Sequence, residues 1–171
     1  ELRKVRNIRS ALALVSLATQ VAGVIAAVVW LQHPLVWVVG FVVMGRVIVC
    51  LNVLGHEAVH RTLFSNRALN DWAGRWLAAY PVFVAFELYR RGHMAHHREE
   101  FGPDEPDIPL YRGYPISRAS FRRKLVRDAT GRTGWKLMRG LFRAVRSADP
   151  ATRFQARAIL SCQTAMILVG V

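Results

Sequence analysis

Residues 11–31 read ALALVSLATQVAGVIAAVVWL, a run without one charged side chain. At the helical rise of about 1.5 Å per residue, such a run spans roughly 30 Å, the thickness of a bilayer's hydrocarbon core. Gln32-His33-Pro34 interrupts it. Residues 35–54, LVWVVGFVVMGRVIVCLNVL, then form a second run broken only by Arg46. So short a link predicts a tight antiparallel hairpin of two membrane-spanning helices. A cleaved signal peptide fits poorly, because its apolar core is shorter and no second span follows it at once.

Charge gives the hairpin a direction. Arg3, Lys4, Arg6 and Arg9 precede the first run, and the His33-Pro34 turn carries no cation. The positive-inside rule places the N-terminus, and everything from residue 55 onward, on the cytoplasmic side. Composition agrees with a membrane protein. The 171 residues hold 24 Lys and Arg against 11 Asp and Glu, a net charge of +13, yet 53% are hydrophobic and the mean hydropathy is above zero. A disordered polybasic chain lacks such apolar content. Of the cations, 14 fall between Arg98 and Arg157. Nucleic acid is one partner for such a segment, but beside apolar spans it reads as a cytoplasmic anchor on anionic lipid, and no nucleic-acid partner is expected. Cys50 and Cys162 lie in apolar runs and form no disulfide framework or thiolate zinc motif.

Farther along, Ala68–Tyr89 has an apolar centre at Trp76–Leu88 broken by Pro81, too short for a span. Residues 68–97 are expected to form an interfacial helix, with Trp72, Trp76 and Tyr80 as interface anchors. Residues 98–155 read as a basic cytoplasmic loop. Prolines 103, 106, 109 and 115 mark its irregular part, and Met138, Leu141, Phe142 and Val145 recur at helical spacing among Lys136, Arg139, Arg143 and Arg146. That pattern is an amphipathic basic helix suited to an anionic membrane surface. Residues 156–171 read as the start of a further span. The expected fold class is all-α, a multi-pass transmembrane helical protein. The chain reads as part of a longer one, since neither end resembles a natural terminus.

Five of the six histidines stand in two clusters, Gly55-His56-Glu57-Ala58-Val59-His60 and His93-Met94-Ala95-His96-His97. His56 and His60 share a helix face at i and i+4, and His93 pairs with His96 and His97 at i+3 and i+4. Neutral imidazole is the commonest metal ligand, so this spacing predicts a metal site. Ligands shared by one centre must lie on one side of the membrane. The intervening Arg61–Gly92 is too short to cross twice, which agrees with its interfacial reading. His33 stands alone in the turn and receives no role.

His-Glu-x-x-His is also the zinc-protease pattern, with Glu57 as general base. Against it, three more histidines follow within 40 residues of the first cluster, and so many imidazoles fit two metal ions better than one. Asn52, one turn before His56, could orient an imidazole, as could Asp104 and Asp107 after the second cluster. Arg46, in mid-span, has no assigned role.

The segments GHEAVHRTLF (55–64), LND (69–71), YRRGHMAHHR (89–98) and PDEPD (103–107) together resemble the membrane fatty acid desaturase family, its bacterial members most. The likeness covers about residues 40–145. It implies a multi-pass helical protein of the bacterial inner membrane, with cytoplasm-facing histidine boxes that hold two iron ions. It implies O₂-dependent desaturation of acyl chains of membrane lipids, with electrons from a ferredoxin or small cytochrome. By position, His56 and His60 match the first box and His93, His96 and His97 the second. In this reading Glu57 is a residue behind the ligands. The family's third box is missing from residues 1–171. The resemblance therefore implies that the remaining ligands lie beyond residue 171 and that this portion alone is inactive. Hydroxylation or ketolation of lipids, carotenoids or alkanes by the same boxes is the close alternative.

Overall fold

The protein is described here by a computed structural model covering residues 4–170; Arg3 of the basic tail and Val171 of the last apolar run lie outside the described residues. Among the described residues every regular element is helical. Helix α1 is Asn7–Leu31 and α2 is Pro34–Val59. Gln32 takes a left-handed φ of 43° and its N–H closes α1 on the Val28 carbonyl. His33 then caps α2, its Nδ1 accepting from the Leu35 amide at 3.2 Å, and Pro34 fits the first helical position. The histidine left without a role is thus the cap that makes a two-residue hairpin link possible.

The helices meet through Leu17, Val47 and Leu51, flanked by Val21, Val43, Cys50 and Leu54. Gly40 permits the approach, since a Cβ there would stand 3.1 Å from Val24 Cγ1. Arg46 donates to Gln20 Oε1 across the pair at 2.7 Å, and Gln20 is held in turn by Ser16. The mid-span charge is therefore a hydrogen-bonded tie between helices. Only α1 and α2, among the described residues, are long and apolar enough to cross a membrane. Little of their most apolar stretches is buried, 11% and 17%, unlike the core helix of a soluble protein. Trp30, Phe41 and Val42 face outward.

Helix α2 does not stop at residue 54, where the apolar run ends. It runs on through the first histidine cluster to Val59. Its 26 residues reach about 39 Å, so the last turn clears a bilayer core of about 30 Å. The chain then turns back at Arg61, φ 59°. Asn7 at the start of α1 exchanges two hydrogen bonds with Ser65, at 2.8 and 2.9 Å. The N-terminus and the segment after the first cluster thus sit at the same end of the hairpin.

Residues 68–97 are not one helix. Asn66 caps α3, Arg67–Ala73. The helix widens into a π turn over Gly74–Ala79 and tightens into a 3₁₀ turn over Tyr80–Val82, where Pro81 lacks the N–H that a continuing helix needs. Phe83, φ 62°, ends it. Gln163 donates to the carbonyls of Tyr80 and Pro81 that this break leaves over, at 2.9 and 3.1 Å. A second helix, α4 (Phe86–Glu99), carries the second cluster.

The chain divides into two packed units: residues up to Phe86 with those from Ala158 onward, and Glu87–Arg157. In the first, Ala58, Leu63, Ala73, Ala78, Tyr80 and Phe86 are buried. The second holds the rest of α4, then α5 (Ile108–Tyr111), α6 (Arg118–Ala129) and α7 (Arg132–Ala144). The basic segment read as a loop with one helix is thus largely helical, Gly131 (φ 71°) making the α6–α7 turn. Helix α8 (Pro150–Gly170) begins within this unit, six residues before the expected start of the last apolar run. Its Gln155 accepts from the Glu87 amide at 2.8 Å.

Candidate metal centre

The first cluster occupies the last turn of α2 and its C-cap residue, His60. His56 and His60 place their Nε2 atoms 2.9 Å apart, with ring centroids separated by 4.7 Å. Both are half-buried, while Gly55, Ala58 and Val59 between and beside them are buried. The packing behind the box is close. A Cβ on Gly74 would stand 2.5 Å from Ala58 Cβ and 2.8 Å from Phe86 Cε2, so only glycine allows the π turn to lie against this stretch of α2.

Asn70 locks the same region. It is fully buried. Its Nδ2 donates to the Ala58 carbonyl at 2.8 Å, and its Oδ1 accepts from the amides of Leu63 and Phe64, each at 3.2 Å. Three backbone groups around the box therefore depend on one side chain. In the sequence Asn70 stands in the LND segment with nothing beside it to mark this task. Glu57 accepts from the Thr62 hydroxyl at 2.8 Å, which fastens the turn after the box. Asn52 is exposed and donates to the Ile48 carbonyl at 2.9 Å, a bond within its own helix.

The second cluster repeats the first device. His93 and His97 bring their Nε2 atoms to 3.1 Å, with centroids 4.6 Å apart. The Tyr89 ring stacks on His93 at 5.4 Å. His96 does not join this pair. Its Nδ1 lies 2.8 Å from Glu105 Oε1 and 3.5 Å from Asp107 Oδ2. An ionised carboxylate only accepts, so Nδ1 carries the proton and Nε2 is left as the free donor atom of the neutral ring. The hydrogen bond to Glu105, helped by the charges of Glu105, Asp107 and Glu100, raises the His96 pKa despite partial desolvation. Burial alone would raise Glu105. The hydrogen bonds from His96 and from the Asp107 amide, with the imidazolium charge, hold it below its ordinary value. Glu105 is buried at 4% exposure, whereas Asp104 is exposed. The acid behind the second cluster is thus Glu105, assisted by Asp107. Its position between Pro103 and Pro106, in a segment the sequence already marks, was the available signal.

The donor chemistry fits a transition metal. Two nitrogens bound side by side to one ion at about 2.1 Å stand about 3 Å apart, the separation seen in both pairs. His96, Glu105 and Asp107 also bring one donor atom each within 4.8 Å of one another.

A family model described as fatty acid desaturase matches residues 29–171. The sn-1 oleoyl-lipid 12-desaturase of Arthrospira platensis is 35% identical over 74 residues, 43% of this chain and 20% of the relative. The sn-1 acyl-lipid omega-3 desaturase (ferredoxin) of Synechocystis is 26% identical over 92 residues, 54% of this chain and 23% of the relative. The dihydrorhizobitoxine desaturase of Bradyrhizobium elkanii is 35% identical over 82 residues, 47% of this chain and 22% of the relative. The chain spans about a fifth to a quarter of the length of these relatives. No solved structure matches it.

Proposed function

This chain belongs to the fatty acid desaturase family, and on that premise we propose that it is part of an iron-dependent desaturase acting on acyl chains of membrane lipids. The carrying observation is the pair of Nε2–Nε2 separations, 2.9 and 3.1 Å, in a chain of this family. We assign His56, His60, His93, His96 and His97 as iron ligands. When bound, two iron ions supply O₂ activation and removal of hydrogen from an unactivated C–H bond.

The chain's own residues prepare that chemistry. The last turn of α2 holds His56 and His60 just past the apolar length of the helix, where they would hold a metal at the edge of the bilayer core. Asn70 and Gly74 keep that turn in one conformation. Glu105 fixes the tautomer of His96 and aims Nε2 away from itself. Asp107 adds negative charge on the same side. The outward apolar faces of α1 and α2 fit lipid, so the reading places the protein in the bacterial inner membrane with both boxes cytoplasmic. Relatives named as ferredoxin-dependent acyl-lipid desaturases support an acyl-lipid substrate and a ferredoxin donor. Five imidazoles are too few for two ions, so residues 1–171 alone are expected to be inactive.

The test is elemental analysis of the protein expressed in full and purified from membranes, beside lipid analysis of the cells. About two irons per chain and new double bonds are expected. One zinc and no iron would restore the protease reading of His-Glu-x-x-His. Hydroxylated lipids with iron present would move the reading to the hydroxylase alternative.

A further inference from the structure

Helix α7 carries a second feature that the iron chemistry does not use. Arg132, Lys136, Arg139 and Arg143 recur at i, i+4, i+7 and i+11, a single stripe over three turns. Like charges at such spacing destabilise a helix by a few tenths of a kcal/mol per pair. Nothing nearby offsets them. Between Arg118 and Arg146 there are ten cations and one acid, Asp128. That acid is engaged by Arg127 and by the Thr133 hydroxyl. None of the four stripe cations pairs with a carboxylate among the described residues. With Gly131 and Trp135 they line an open cleft of about 580 Å³. Gly131 offers the helix no side-chain cap, so the stripe begins at the positive end of α7.

Apolar residues accompany this charge. Trp135, Leu137 and Phe142 are 62%, 69% and 54% exposed. On the helix, Trp135 and Phe142 border the cationic stripe and Leu137 lies on the far flank, with Met138 and Leu141 between. A face meant for a soluble polyanion needs the cations alone. Cations bordered by an exposed tryptophan and phenylalanine match the boundary between phosphate headgroups and acyl chains.

We propose that α7 is a seat for anionic phospholipid, its phosphates held in the cleft by Arg132, Lys136, Arg139 and Arg143 and its glycerol and upper acyl region met by Trp135 and Phe142. The site is independent of the metal ligands. It gives the protein a preference for the lipid class around it as well as for the lipid it transforms.

The test uses the whole chain in phosphatidylcholine nanodiscs doped with brominated phosphatidylglycerol or brominated phosphatidylcholine. The Trp135 signal is isolated by subtracting the W135F protein. Quenching by the brominated anionic lipid should exceed that by the neutral one by about threefold or more at low salt. The difference should vanish at 1 M salt, where the Debye length is about 3 Å. It should also vanish in R132Q/K136Q/R139Q/R143Q with the far-UV circular dichroism unchanged. The salt arm needs no variant, so a misfolded quadruple mutant does not spare the proposal. Equal quenching by both lipids, or none, overturns it. If lipid makes no difference but reduced ferredoxin binds wild type and not the quadruple variant, the face belongs to an acidic protein instead.

Discussion

His56 and His60 stand around an alanine that is fully buried, on a helix end wedged against the π turn. His93 and His97 stand on a helix whose 14 residues bury only Phe86. Both pairs bring two Nε2 atoms to about 3 Å. What holds them is different. The first pair is set by packing and by the neutral amide of Asn70. The second unit buries Glu105, Gln155 and Ala156 and no large apolar side chain, so its order rests on hydrogen bonds and charge. Nearly equal Nε2 spacing can therefore come from two kinds of support, one resting mainly on packing and a neutral amide and one on hydrogen bonds and charge.

Four experiments sharpen or break that contrast. The largest effect belongs to Asn70→Ala, which strands three buried backbone groups and should destabilise the first unit by about 3 kcal/mol or more. Hydrogen exchange should show the Leu63 and Phe64 amides losing protection while α6 and α7 keep theirs. Loss spread evenly over both units would refute the division. Gly74→Ala comes next. Its new methyl collides with Ala58 and Phe86, at a cost of about 2 kcal/mol, read as a shifted denaturation midpoint. Retained stability would mean that the π turn is not packed as described.

Third is Glu105→Gln, which keeps the shape and removes the charge behind His96. Iron affinity should fall about tenfold, with exchange unchanged around Ala58 and Asn70. Unaltered affinity would leave Glu105 a purely structural acid.

The smallest effect is acid loosening of the second unit alone. The Thr133 hydroxyl, with Arg127, lowers the Asp128 pKa, and the Thr152 hydroxyl and amide lower that of Asp149. A depressed carboxylate adds stability above its ordinary value of 3.8 that is lost as pH falls through the lower folded value. The turns at Asp128 and Asp149 should therefore open below about pH 4, before the bonds of the Asn70 amide to the Ala58, Leu63 and Phe64 backbone, which join neutral groups. Protection of the Gly131 and Thr152 amides against pH reports it. D149N keeps the helix cap and should flatten the profile at Thr152.

Much of this architecture is legible in the sequence. Long uncharged runs report long apolar helices directly, and i/i+4 histidines report shared faces, so the helical hairpin and both histidine pairs can be read without coordinates. What cannot be read has a common cause. A buried polar residue looks like an exposed one until its partners are known. Asn70 finds its three backbone partners, and Glu105 finds His96, only after the chain turns back on itself. The sequence reading of Asp104 and Asp107 reaches Asp107, which does lie beside His96, but passes over Glu105 for that reason. The break within residues 68–97 is half legible. Pro81 announces it, but the π turn before it has no residue signature beyond Gly74.

Within the proposed membrane setting, Arg46 and Gln20 bear on how the hairpin inserts. Alone, an arginine near the middle of a span opposes insertion by about 2.5–3.5 kcal/mol. Its hydrogen-bond partner lies on the preceding helix, at 2.7 Å. In the spanning arrangement, α2 gains that relief only if α1 is already beside it. The two helices would then leave the insertion machinery as one folded cargo, with α1 waiting at the exit until the whole of α2 has been made.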